Sequence, residues 1–99
     1  MSAQILTEVS ATVDANREVE LVKGYREITA AAPDGLVRTE LLRGQDGQWR
    51  IQTLWRDRAA LEAMRARPEP PAALRLFRSV GAEPSLQVYE VEARHVVAD

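Results

Sequence analysis

Residues 35–64 read Gly-Leu-Val-Arg-Thr-Glu-Leu-Leu-Arg-Gly-Gln-Asp-Gly-Gln-Trp-Arg-Ile-Gln-Thr-Leu-Trp-Arg-Asp-Arg-Ala-Ala-Leu-Glu-Ala-Met. Two runs of strand composition, 35–43 and 48–55, flank a glycine-containing loop that is typical of a β-hairpin. The second run leads straight into a segment that predicts a helix, with Asp57 as its N-cap. The rest of the chain is organised around this strand–loop–strand–helix unit.

Side chains alternate along a strand, so the pairing of the two hairpin strands decides which residues share a face. Pairing Arg43 with Gln48 gives one face these cross-strand pairs: Leu42 with Trp49, Glu40 with Ile51, Arg38 with Thr53 and Leu36 with Trp55. The opposite face then carries Val37, Thr39, Leu41, Arg50, Gln52 and Leu54. The sequence therefore predicts a platform of two tryptophans with an embedded Arg38–Glu40 ion pair.

The remaining elements are predicted from hydrophobic periodicity. Alternating residues predict strands, and helical spacing predicts helices, over 5–13 and 85–97 for the strands and 15–31, 58–67 and 72–80 for the helices. The inner stripes of the helices comprise Leu21, Val22, Tyr25, Ile28 and Thr29, then Ala60, Leu61 and Met64, then Ala73, Leu74, Phe77 and Val80. Asp14 is expected to cap the first helix, and Gly24 within it to let a strand or a ligand approach closely.

The element order β-α-β-β-α-(α)-β, over one domain spanning residues 1–99, predicts a fold class. It is α+β and ferredoxin-like, with a four-stranded antiparallel sheet and helices on one face. The other face would carry Val37, Leu41 and Leu54, and one copy has no further helix to cover it. A second copy is therefore expected to pack sheet against sheet in a homodimer.

Composition excludes several classes of function. The chain has 13 basic and 15 acidic residues and a net charge of -2, so nucleic acid and anionic membranes are not expected partners. It has no cysteine and 1 histidine, so no metal site is expected. No apolar run is long enough for a membrane span, and the N-terminus lacks signal-peptide features, so a soluble cytoplasmic protein is expected.

The stretch 49–61, Trp-Arg-Ile-Gln-Thr-Leu-Trp-Arg-Asp-Arg-Ala-Ala-Leu, resembles the antibiotic biosynthesis monooxygenase family. Supporting pieces are Pro-Asp-Gly-Leu at 33–36, Thr-Glu-Leu at 39–41 and Pro84 before the last strand. The resemblance runs from Ile5 to about Tyr89. It implies a dimeric α+β barrel and a family that includes cofactor-independent oxygenases and haem-degrading enzymes.

The chain departs from the family pattern at several positions. Thr53 stands where members often carry Glu, and the stretch 64–80 has none of the histidines that many members carry. The haem-degrading branch needs an Asn on the first strand and a His on the second helix. Here the only Asn is Asn16 and the only His is His95, so haem degradation is not expected.

The resemblance implies two catalytic candidates. Trp55 would stack on a flat substrate and donate its indole N–H to a substrate oxygen, unless it only fills the core. Arg78 would stabilise a substrate anion, with Arg75 and Arg38 as alternatives and surface solvation as the simpler role. The candidate ligand pocket comprises Tyr25, Arg38, Glu40, Ile51, Thr53, Leu61 and Phe77.

Alternatives from the residues themselves stay open. Arg38 and Glu40 could simply neutralise each other, or a hairpin slipped by one residue would expose both. Tyr25 could fill the core. The position of Trp49 near the hairpin tip favours a structural role for it.

The resemblance implies a cofactor-independent monooxygenase that acts on an aromatic, polyketide-like phenol or quinol. Two alternatives remain: a cofactor-free cyclase or isomerase of a polyketide-like intermediate, and a non-catalytic dimeric module that binds a small aromatic molecule. The space between sheet and helices distinguishes the last alternative, because a cavity filled by side chains, with no room for a two-ring ligand, would decide for the non-catalytic module.

Overall fold

The computed structural model describes residues 3–98 and shows the predicted α+β architecture. Its strands are β1 (Ile5–Thr12), β2 (Leu36–Arg43), β3 (Gln48–Trp55) and β4 (Ser85–Glu90). Its helices are a 3-10 turn (Ala15–Arg17), α1 (Glu18–Thr29), α2 (Arg58–Arg65) and α3 (Ala72–Ser79). The strands form one antiparallel sheet in the order β2-β3-β1-β4, so the ferredoxin-like fold is confirmed. Among the described residues, no helix is both long and apolar enough to cross a bilayer.

The core lies between one face of the sheet and the helices. Every second residue of β1 is buried, from Ile5 to Ala11, as the alternation predicts. The main core cluster comprises Val9, Ala11, Val13, Leu21, Trp49, Ile51, Leu76, Phe77, Val80 and Ala82. A second cluster of Ile5, Trp55, Ala60 and Leu61 seals α2 onto the end of β3.

The pairing of β2 with β3 differs by one residue from the prediction. Arg43 lies opposite Trp49 rather than Gln48, and an irregularity between Leu36 and Arg38 absorbs the extra residue, so Leu36 still opposes Trp55. Because side chains alternate, this shift moves the side chains of 38–43 to the other face. The two tryptophans still share the buried face of β3, as predicted, but the ion pair predicted to lie between them is wrong, because Arg38 and Glu40 do not share that face.

Glu40 lies instead on the face that turns away from the helices, and Arg38, next to the irregularity on the edge strand, no longer shares the face of the tryptophans. Their side chains are 56% and 49% exposed, and Arg38 Nε lies 3.4 Å from Glu40 Oε1. An exposed pair of this kind contributes at most about 1 kcal/mol to stability. Leu41 takes a place on the helix-facing side and packs against the main core.

The shift also changes which apolar side chains are exposed for contact with a second copy. Leu41 is covered by its own helices, and Leu54 is only 4% exposed within one copy. On the face that turns away from the helices, the exposed apolar side chains are Val37, Leu42 and Tyr89. The homodimer stays a prediction.

Two element ends differ from the prediction for identifiable reasons. The first turn before α1 is a 3-10 turn, and Asp14 contributes its backbone carbonyl to Arg17 N at 2.9 Å rather than a side-chain cap. β4 ends at Glu90, because β1, its one neighbouring strand within residues 3–98, begins opposite that residue. One further bond, from Val91 N to Gln4 O, closes the pairing.

Two local predictions about helix packing have clear outcomes. Asp57 caps α2, because its carboxylate accepts a hydrogen bond from Ala60 N at 2.9 Å. Gly24 does allow a close approach, but the neighbour is Leu76 of α3 rather than a strand or a ligand. The absent side chain therefore lets α3 lie against the middle of α1.

Gly35, where the chain enters β2, is a position at which only glycine fits. Its φ is +85°, and a Cβ there would overlap the Cβ of Ala60 on α2. We expect Gly35→Ala to lower the free energy of unfolding by about 2 to 4 kcal/mol, from left-handed strain plus overpacking. Urea denaturation measures this change.

Gly44→Ala is the matched control for Gly35→Ala. A Cβ at Gly44 would meet Gln48 at 3.4 Å, an ordinary contact. Its stability should stay within about 0.5 kcal/mol of the original chain. Equal unfolding midpoints for the two variants would contradict the prediction. They would show that the turn and α2 rearrange around an added side chain at Gly35 without a cost in stability.

Candidate functional site

A cavity of about 590 Å³ lies between the helix-facing side of the sheet and the helices. Its walls come from all four strands, from α1, α2 and α3, and from the connection between α2 and α3. Sites for small molecules usually have volumes of about 300 to 1,000 Å³. The interior is therefore not filled by side chains, and a flat organic molecule has room there.

The floor of the cavity is a row of three threonines on adjacent strands. Thr39 of β2 pairs with Thr53 of β3, which pairs in turn with Thr7 of β1. The Oγ1 atoms of Thr39 and Thr53 are 3.2 Å apart, and Thr7 Oγ1 donates weakly to the carbonyl of Thr53 at 3.5 Å. The row gives the cavity polar atoms that carry no charge.

Trp55 closes one end of the cavity. Its side chain is 4% exposed and packs with Ile5 and Leu61 beneath α2. The indole N–H donates to Thr7 Oγ1 at 3.1 Å. The N–H is therefore already engaged, so it does not make the predicted hydrogen bond to a ligand. Trp55 therefore belongs to the core and to the cavity wall at once, and it offers a ligand its ring.

Tyr25 connects the helical wall to the threonine floor. It lies half-buried on α1, and its hydroxyl donates to Thr39 Oγ1 at 3.3 Å. Its ring and the side chains of Ile28, Leu61, Met64 and Leu74 give the cavity its apolar lining. The walls can thus contact an aromatic face while the floor contacts a polar edge.

The rim of the cavity is predominantly cationic. Four arginines line it, against two glutamates: Arg38, Arg65, Arg67 and Arg75, with Glu27 and Glu69. Arg75 Nε donates to the carbonyl of Pro70 at 3.0 Å, which ties the side chain to the α2–α3 connection. Its two terminal nitrogens make no hydrogen bond within residues 3–98, so they are available to an anion at the entrance.

Most of the pocket residues predicted from the sequence meet at this cavity. Its lining includes Tyr25, Arg38, Ile51, Thr53, Trp55 and Leu61, with Arg38 at the edge strand beside the β2 irregularity. Whether these residues bind a ligand, and the role of each, stay predictions.

Three predicted site residues lie elsewhere. Glu40 is on the far face of the sheet because of the register shift. Phe77 is 0% exposed in the main core and does not border the cavity. Arg78 lies in the last turn of α3 and is exposed, whereas the cavity borders the first turns of that helix, where Arg75 is.

Trp49 lies outside the cavity, in agreement with a structural role. Its indole N–H donates to Glu18 Oε2 at 2.9 Å, and the Arg43 guanidinium lies 4.8 Å from its ring centroid. These contacts join the hairpin to the start of α1. They also make Trp49 a natural control for experiments on Trp55.

Sequence reasoning did not identify Thr7 and Thr39 as site residues. Thr7 did have a recognisable signal, because it interrupts an otherwise apolar face of β1. The predicted hairpin register, which differs by one residue from the observed one, placed Thr39 on the opposite face. The rim arginines Arg65 and Arg67 had no signal, since only the path of the α2–α3 connection brings them to the cavity.

Comparison with protein-family models and with curated proteins gives no match. Solved structures do match the fold. SnoaB, a cofactor-independent oxygenase from Streptomyces nogalater, is 21% identical with a TM-score of 0.74, covering 99% of this chain and 100% of that chain. A candidate antibiotic biosynthesis monooxygenase from Deinococcus radiodurans is 17% identical with a TM-score of 0.75, covering 95% and 99%.

A further candidate antibiotic biosynthesis monooxygenase, from Caulobacter crescentus, is 16% identical with a TM-score of 0.74, covering 93% of this chain and 92% of that chain. The chain therefore has the fold of these structures over nearly its whole length, and the resemblance in fold is confirmed. Since one fold can support many chemistries, the reaction has to be argued from the site.

Proposed function

We propose that this protein is a cofactor-independent monooxygenase that acts on an aromatic, polyketide-like phenol or quinol. The observation that carries the proposal is the cavity of about 590 Å³, which combines an aromatic wall, a hydroxyl floor and a cationic rim. This combination suits a flat molecule that bears oxygen substituents and reacts as an anion. The fold shared with SnoaB, described as a cofactor-independent oxygenase, supports the same reaction class.

The buried lining determines where the chemistry must originate. Its members, Thr7, Val9, Ile51, Thr53, Trp55 and Leu61, are all uncharged at neutral pH. A side-chain base deep in the cavity is therefore not part of the proposal. The substrate itself has to be acidic, and an arginine at the rim, Arg75 by its position, stabilises the anion.

In the proposed reaction the substrate anion supplies the electrons. With an anthrone, the deprotonated carbon transfers electrons to dioxygen and forms a bond to one of its oxygen atoms. The second oxygen atom leaves as water, and the carbon becomes a carbonyl. The protein contributes stacking by Trp55, a closed apolar wall that includes Tyr25 and Leu61, and exclusion of water.

The test is oxygen uptake with an anthrone or a naphthoquinol. We expect uptake above the spontaneous rate and a product with one more oxygen atom. Trp55→Phe keeps an aromatic ring but removes part of the stacking surface, so kcat/KM should fall about tenfold, the equivalent of roughly 1.4 kcal/mol. Rates should be compared well below the unfolding temperature of each variant.

Trp49→Phe is the control, because it makes the same chemical change outside the cavity. Its kcat/KM should stay close to that of the unaltered chain. Absence of uptake above the spontaneous rate across a panel of phenols and quinols would contradict the proposal. A product of unchanged mass would instead indicate a cyclase or isomerase.

A second candidate, a non-catalytic binding module, is favoured by one observation. Among residues 3–98, the buried part of the lining holds no titratable side chain that could transfer a proton. Such a module would bind an aromatic molecule with the same cavity and return it unchanged. Tight binding of a phenol together with unaltered oxygen consumption would decide for this candidate.

A further inference from the structure

The threonine row is a polar interruption in an apolar surface. On one side it is flanked by Leu41, Ile51 and Val9, and on the other by Leu36, Trp55 and Ile5. Thr7 and Thr53 are only 8% and 9% exposed. Buried hydroxyls lower stability unless they form hydrogen bonds, so two buried hydroxyls and a half-buried one in adjacent strands at a cavity floor require an explanation.

Thr7 makes two hydrogen bonds within the protein, the second of them weak. Its Oγ1 accepts the indole N–H of Trp55 at 3.1 Å, and its own proton points to the carbonyl of Thr53 at 3.5 Å. It therefore holds the Trp55 ring in place, and its proton is directed to the backbone rather than to a ligand.

The other hydroxyls have one proton more than they have hydrogen bonds. Tyr25 donates to Thr39 at 3.3 Å, and either Thr39 or Thr53 donates across the 3.2 Å between them. Each hydroxyl has one proton, so three protons share two hydrogen bonds within residues 3–98. One donor at the cavity floor remains free.

We propose that Thr53 donates this proton to an acceptor oxygen of the ligand. When Thr39 donates to Thr53, the chain Tyr25, Thr39, Thr53, ligand runs in one direction, and each bond polarises the next. The opposite arrangement would make Thr39 accept from both neighbours and also donate to the ligand from an edge strand. Thr53 is the specificity-determining residue, and Tyr25 and Thr39 are positioning residues that act through it.

The free proton of Thr53 determines the chemistry of the ligand at the floor. It is an aromatic molecule with a carbonyl or phenolate oxygen at the edge that enters first, since an apolar arene would leave the Thr53 proton unpaired. The inference rests on the proposed function only in taking the cavity as the ligand site. It does not require that the ligand react with oxygen.

The experiment compares two probes by calorimetric titration. Anthraquinone-2-sulfonate and anthracene-2-sulfonate share the ring system and the sulfonate but differ in the carbonyl oxygens. We expect the unaltered chain to prefer the quinone. Thr53→Val, which keeps the shape and removes the hydroxyl, should weaken quinone binding about tenfold and leave binding of the arene unchanged.

Further variants separate recognition from folding. Thr53→Ser restores the hydroxyl and should retain the preference for the quinone. Tyr25→Phe removes only the far end of the chain and should have a smaller effect than Thr53→Val. Thr12→Val is the control, because Thr12 lies exposed on β1 and bonds to Gln48 outside the cavity.

The outcomes are distinguishable from those of the oxygenation test. Equal weakening of both probes by Thr53→Val, or no preference in the unaltered chain, would overturn the inference. Selective loss of quinone binding in Thr53→Val would support the inference even if the protein oxidises no phenol. Oxygen uptake with no preference for the quinone would leave the proposed function standing without this recognition mode.

Discussion

Phe77→Ala is expected to lower the free energy of unfolding by about 3 to 5 kcal/mol, a large part of the stability of a domain of this size. The side chain is 0% exposed and packs with Leu21, Leu76 and Val80 between α1, α3 and the sheet. Alanine would leave a void lined by rigid neighbours from separate elements. Urea denaturation followed by circular dichroism measures the change.

Leu74→Ala is the comparison for Phe77→Ala, because Leu74 lies on the same helix but lines the cavity and is only half-buried. Its cost in stability should be clearly smaller, since the neighbouring space already exists. Under conditions where it is folded, Phe77→Ala should still bind anthraquinone-2-sulfonate. Lost binding with unchanged stability would restore the pocket role that the sequence predicted for Phe77.

The local features of this fold were readable from the sequence because their causes are local. Alternation in 5–13 produced a strand with one buried face, and a carboxylate before the alanine-rich segment produced a capped helix. Prolines between residues 68 and 71 ended α2, and Gly81, with φ +79°, ended α3. Each of these needs only the backbone preferences of a few neighbouring residues.

The hairpin register was not readable, because it depends on an irregularity that composition does not mark. Val37 occupies the extra position between Leu36 and Arg38. Two pairings of β2 with β3 that differ by one residue look equally plausible from the sequence. A shift of one residue exchanges the two faces completely. The error therefore moved Thr39 out of the predicted site and placed Glu40 in it.

The extent of β4 shows a related limit. Residues 91–97 have strand composition, but within residues 3–98 the ladder with β1 ends at Glu90, followed by one bond from Val91 N to Gln4 O. Strand length is set by the neighbouring strand, which a local pattern does not contain. The same reasoning applies to the cavity rim, where arginines from separate elements converge.

The cavity also makes a prediction that does not depend on the reaction. Ala73 lies on the first turn of α3 and lines the cavity, while its helix packs on the main core. We expect Ala73→Trp to place its indole in the cavity and weaken binding of anthraquinone-2-sulfonate about 100-fold or more, the equivalent of roughly 2.7 kcal/mol. Stability should be unchanged or raised by about 0.5 to 2 kcal/mol, because the side chain fills existing space.

Ala59→Trp is the matched control, since Ala59 is exposed on α2 and does not line the cavity. It should leave both binding and stability near those of the unaltered chain. A destabilised Ala73→Trp would mean that the helices do not enclose a space of this size, because overpacking then costs about 1 to 3 kcal/mol. A stable Ala73→Trp variant that still binds the quinone would place the ligand outside the interior between sheet and helices. That result would contradict a ligand site formed by Trp55 and Thr53.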